Sequence, residues 1–87
     1  MWLVVEKEYH NEKLQYVTWY GDDITGDAFD TIEKAYTFAA SWAKYKQGLF
    51  KGDFKIQAGD NAVHYVSFVD PFDSKVTIRI SVQKLSV

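Results

Sequence analysis

Eighty-seven residues without a cysteine make one domain and exclude a disulfide framework or a thiolate metal site, so stability has to come from burial. A net charge of −2 argues against a nucleic-acid binder driven by bulk electrostatics, which would carry a clear basic excess, and equally against a wholesale DNA mimic. Apolar runs fall short of the ~18 residues of a membrane span, and Met1-Trp2 lacks the basic start of a secretory leader, so the expectation is a soluble cytoplasmic domain spanning residues 1–87.

Residues 2–9 and 14–20 are rich in valine, threonine and aromatics and flank His10, Asn11, Glu12 and Lys13, a tight turn. Pairing Tyr9 with Leu14 sets Lys7 opposite Tyr16, Val5 opposite Thr18 and Leu3 opposite Tyr20. The other face then carries Trp2, Val4, Glu6, Glu8, Gln15, Val17 and Trp19. Both faces are half apolar. Trp2, Val4, Val17 and Trp19 are expected inside, because tyrosine hydroxyls need partners when buried.

Residues 21–29 form a loop from sheet to helix, broken by two glycines and carrying Asp22, Asp23 and Asp27. Residues 30–47 are the only segment with apolar residues at helical spacing: Ile32, Ala35, Tyr36, Ala39 and Ala43 on one stripe, Phe38, Trp42 and Tyr45 beside it. Asp30 with Glu33 three residues later reads as a capping box, Gly48 as the stop, and Lys44 and Lys46 as complements to the carbonyl end of the dipole. The apolar arc covers roughly half the circumference, against the roughly 100° of a helix merely lying on a core. Either a curved sheet covers Phe38, Trp42 and Tyr45, or part of that flank is a docking surface.

Three more strands follow, at about 53–57, 62–69 and 76–82 or beyond, separated by turns at 58–61 and 70–75. Pairing Gln57 with Ala62 and Val69 with Val76 gathers Phe54, Ile56, Val63, Tyr65, Val69, Val76, Ile78, Ile80 and Val82 on one inner face. Lys55, His64, Val66, Phe68, Thr77 and Arg79 fall on the other, where Val66 and Phe68 are out of place on a solvent surface. After Val82 the alternation slips, as at a bulge or a strand end. The order β-β-α-β-β-β implies a two-layer α+β domain, an antiparallel sheet of about five strands with one helix on one face. No element remains to cover the sheet's far face.

Catalytic constellations are missing. His10 and His64 are the only histidines and have no cysteine or second imidazole at ligand spacing, so His10 reads as a turn residue and His64 as a surface strand residue opposite Lys55. No serine sits in a nucleophile elbow, and the glycines form neither a dinucleotide nor a P-loop pattern. An EF-hand loop begun at Asp22 puts Ile24 at a ligand position, and one begun at Asp23 puts Lys34 where the bidentate glutamate belongs. Neither works, so no metal or cofactor is expected. The helix dipole accounts for Asp30 and in part for Asp27, which leaves Asp22 and Asp23 without a structural role.

Aromatics make up 17% of the chain, and residues 1–33 carry a balance of −6 while residues 34–87 carry +4. The aromatic surplus implies a partner, and the charge division implies an electrically two-sided molecule. In size, absence of cysteine, aromatic load and element order the chain resembles small phage-encoded proteins that inhibit host or defence enzymes, a likeness of type without a diagnostic motif. The expectation is a non-enzymatic protein-binding module, monomeric or homodimeric. It would meet a basic partner surface through Tyr16, Tyr20, Phe68 and Arg79 on the sheet and the acidic loop of Asp22, Asp23 and Asp27. Two alternatives are a nucleic-acid binder using sheet aromatics with Lys55, Arg79 and Lys84, and a self-associating structural subunit.

Overall fold

A computed structural model of the chain describes residues 1–22, 26–57 and 63–85. Strands β1 (Trp2–His10) and β2 (Lys13–Tyr20) precede the helix α1 (Ile32–Phe50), and β3 (Asp53–Gln57), β4 (Val63–Val69) and β5 (Lys75–Lys84) follow it. The strands form one antiparallel sheet in the order β2-β1-β5-β4-β3 with α1 on one face, the expected two-layer α+β architecture.

The β1–β2 turn has two residues, Asn11 (φ 49°) and Glu12 (φ 70°). Positive φ at both central positions matches the right-handed twist of the flanking strands. Asn11 also fixes the neighbouring strand: its N–H donates to the Lys75 carbonyl at 2.8 Å and its Oδ1 accepts from the Lys75 N–H at 2.9 Å. From there β1 and β5 pair continuously, from His10 opposite Val76 to Trp2 opposite Lys84.

Two strands face the opposite way from the sequence expectation. Tyr9 does pair with Leu14, but a bulge between Glu8 and Tyr9 puts Glu8 opposite Tyr16 and Glu6 opposite Thr18. One inserted residue turns the rest of β2 over, so Tyr16, Thr18 and Tyr20 share the helix side with Trp2 and Val4, while Val17 and Trp19 face away. The tyrosine hydroxyl that argued against this arrangement has an acceptor, since Tyr20 donates to Glu6 Oε1 at 2.8 Å. In β4, Gln57 pairs with Val63 and Val69 with Lys75, one residue from the expected register at each end. That turns β4 alone: His64, Val66 and Phe68 join Phe54, Ile78 and Ile80 on the helix side, and Val63, Tyr65 and Val69 leave it. Val66 is fully buried. The turn expected at 58–61 lies outside the described residues. After Val82 the strand runs on to Lys84 and stops there.

The helix also differs at both ends. Thr31, not Asp30, is the N-cap, its Oγ1 accepting from the Lys34 N–H at 3.3 Å, and Asp30 instead pairs with the Lys34 ammonium at 3.0 Å. Gly48 does not stop the helix, which continues to Phe50, whose ring stacks on Phe68 at 4.3 Å. Tertiary contact of this kind holds a terminal turn that propensity alone would fray. Lys51 takes the left-handed cap conformation (φ 51°). The glycine the chain needs is Gly52, where a Cβ would stand 2.7 Å from the Ser67 carbonyl oxygen.

Ala35, Ala39 and Ala43, all fully buried, let the helix backbone lie close on Val4, Val66, Ile78 and Ile80. Phe29 pairs backbone to backbone with Trp2 and brings its ring against Phe38, at 5.6 Å. Phe29 and Tyr20 thus cover Phe38 and Trp42, whereas Tyr45 stays 54% exposed. Of the three flanking aromatics, Phe38 and Trp42 are partly buried and packed against the core, and Tyr45 is exposed.

Candidate functional site

Because side chains alternate along every strand, the sheet's second face is set once the first is packed. One row across it runs Val17, Lys7, Arg79, Tyr65, Lys55 as successive partners from β2 to β3. At about 4.8 Å per strand this row spans about 19 Å. The next row holds Trp19, Val5 and Ser81. Trp19 is 51% and Val17 42% exposed, while Val5 is buried beneath its neighbours. Lys7, Tyr65 and Arg79 are half-buried and Lys55 is exposed. Among the described residues no helix or strand crosses this face.

Its charge is opposite to that of the chain. Among the described strand residues, Lys7, Lys55, Lys75 and Arg79 lie on it against Asp53, in a protein of net charge −2. The two-sidedness expected from sequence is present, but it divides one sheet face from the rest of the molecule rather than one chain half from the other.

Of the described residues expected to bind a partner, only Arg79 is on this open face. Tyr20 packs at the helix flank, 5.2 Å from the Trp42 ring, Phe68 is stacked under Phe50, and Tyr16 is 64% exposed but on the helix side. The ends of the stretch from Asp22 to Asp27 are tied through the backbone, the Asp22 N–H donating to the Asp27 carbonyl at 2.7 Å and the Gly26 N–H to that of Asp22 at 2.8 Å. Lys34 sits beside this loop and is held above its ordinary pKa by Asp30 first, with the charge of Asp22 adding. The Asp22 bonds are backbone ones that any residue could supply, and its carboxylate adds its charge near Lys34; Asp23 lies outside the described residues. Lys55 and Arg79 do share the open face, whereas Lys84 pairs with Trp2 on the helix side. Trp19, Val17 and Tyr65 were not expected on this face, and only the registers of β2 and β4 could have placed them there; Lys7 already fell on the face away from Trp2 and Val4 but was not singled out.

A polar cleft of about 280 Å³ opens on the helix side, lined by Glu6, Glu8, Tyr16, Thr18, Tyr20 and Lys46. Glu6, 6% exposed, anchors it. Its Oε1 accepts from Tyr20 Oη at 2.8 Å and Trp42 Nε1 at 2.7 Å, and its Oε2 lies 3.5 Å from Lys46 Nζ. Burial first, then the neighbouring Glu6 carboxylate, push the Tyr20 phenol far above its ordinary value. A phenol so disposed stays protonated and donating at neutral pH. The network joins β1, β2 and α1 through filled acceptors. Glu8 is engaged as well, with His10 Nε2 at 2.8 Å.

His64 is not the surface residue expected. It is 5% exposed on the helix side, 5.9 Å from the Phe54 ring, and burial lowers its pKa. Among the described residues its Nδ1 has no hydrogen-bond partner, and no three His, Cys, Asp or Glu side chains are grouped to hold a metal ion. No protein-family model matches the chain, and no curated protein and no solved structure matches it.

Proposed function

We propose that this is a non-enzymatic binding module that docks a partner protein, as a small inhibitor or adaptor, on the open face of its sheet. The observation that carries this reading is the exposure of Trp19 and Val17 beside Arg79 and Tyr65. Tryptophan, tyrosine and arginine are the residues that anchor protein interfaces when a partner desolvates them. The basic residues around them call for an acidic partner surface, opposite in sign to the one the acidic loop implied.

The test is capture of the partner from native host extract with Trp19→Ala and Arg79→Glu variants. Loss of capture at an unchanged melting temperature supports the reading. Full capture by both variants overturns it.

A second reading is favoured by one feature, the cations Lys7, Arg79 and Lys55 in line with Tyr65. Such a row could follow a single-stranded backbone while Tyr65 and Trp19 stack bases. It predicts oligonucleotide binding that falls steeply with salt and is lost in Lys55→Glu. An oligonucleotide titration at two salt concentrations separates it from protein docking.

A further inference from the structure

The sheet has two edges, and they are unlike. At one, β3 is five residues long and carries Asp53 and Lys55, the short, charged design that discourages strand addition. At the other, β2 is eight residues long, and seven of those eight are exposed. Its only charge is Lys13 at the start. The rest, Leu14, Gln15, Tyr16, Val17, Thr18, Trp19 and Tyr20, contain no proline or glycine and are mostly of the β-branched and aromatic types that favour strands. The bulge lies at the Tyr9–Leu14 end, so residues 16–20 form a regular, unprotected edge.

What such an edge recognises is another strand, because its outward N–H and C=O groups are complementary to the same groups on a neighbour. We propose that the neighbour is β2 of a second copy, paired antiparallel about a two-fold axis normal to the sheet. Two observations select a second copy. The segment is free of charge from Leu14 to Tyr20, so an identical strand brings no like charges face to face along it. With β3 guarded, β2–β2 pairing also consumes the unprotected edge of the described sheet, so assembly closes at two instead of propagating into a fibre.

In this dimer both helices lie on the same side. Val17 and Trp19 meet their counterparts on the open face, and Tyr16, Thr18 and Tyr20 meet theirs on the helix side. The two open faces become one ten-stranded surface about 43 Å across at about 4.8 Å per strand spacing. The inference does not depend on the proposed docking function.

Sedimentation of the pure chain over a range of concentrations, with hydrogen exchange of the β2 amides, is the test. The wild type is expected to run at about twice 10.1 kDa, with outward β2 amides protected. Thr18→Lys, on the helix side and off the open face, places like charges near the two-fold and is expected to give a folded monomer with fast β2 exchange. Thr18→Val is expected to remain a dimer, and Tyr16→Lys serves if Thr18→Lys fails to fold. A monomer at every concentration, a dimer that survives both lysine variants, or an assembly larger than two overturns the proposal.

Discussion

At the residue scale, the three tryptophans divide into unequal roles that composition cannot reveal. Trp42 packs against Tyr20, Phe38 and Tyr45 and donates its indole N–H to the buried Glu6 carboxylate at 2.7 Å. Truncation removes that packing and a hydrogen bond to a charged group, so Trp42→Ala is expected to cost about 3 kcal/mol. Trp19→Ala, at an exposed site, is expected to cost under about 0.5 kcal/mol. Urea unfolding of the two variants side by side checks the contrast. His64 carries a pH dependence whose sign follows from its burial. The unfolded imidazole binds a proton near pH 6.5, and the folded one does so only at lower pH. Between those values the unfolded chain holds more protons, so stability falls as pH drops below about 6.5 and levels off under the folded pKa. His64→Leu is expected to remove this slope, read as the difference between urea midpoints at pH 7 and pH 5.

At the element scale, the helix shows why a glycine is ambiguous in sequence. Gly48 is compatible with a stop signal, yet it lies inside α1, and a Cβ there would meet nothing within 4 Å. Gly52, four residues on, faces the Ser67 carbonyl at a distance no side chain tolerates. Gly48→Ala is therefore expected to stabilise by about 0.5–1 kcal/mol through helix propensity. Gly52→Ala is expected to destabilise by about 1–3 kcal/mol through overpacking. Thermal melts of the two variants side by side check the contrast. The strands hold a related lesson. Agreement between two hairpin registers could not detect that β4 is turned over, because shifting it by one residue against both neighbours leaves β3 and β5 on the same side. The remaining clue was Val66 and Phe68, apolar residues stranded on an expected solvent face.

At the scale of the whole molecule, a basic sheet face stands on a chain of net charge −2. An acidic partner docking there should associate faster at low salt, since steering acts on the on-rate and is screened by ions. Arg79→Glu is expected to slow association by about tenfold, while Asp22→Lys, beside Lys34 at the start of α1, leaves the rate unchanged or raises it. Kinetic binding measurements at two ionic strengths check both. The reverse pattern would place the contact at the acidic loop.

The element order, the single long helix, the strand positions to within a residue or two and the two-layer class were all legible in the sequence, because they rest on local periodicity and turn chemistry. Which aromatics face the helix and which face outward was not. Strand faces depend on registers with a period of two, so one extra residue in β2, Gln15, and a one-residue slip of β4 moved Trp19 and Tyr65 outward and Tyr20 and Phe68 inward. Those registers were decided by long-range contacts: the β1–β5 pairing, the Phe50–Phe68 stack, and a buried Glu6 that gave Tyr20 and Trp42 a shared acceptor. The composition of the open face is what remained after that packing was satisfied, and for that reason only the tertiary structure could supply it.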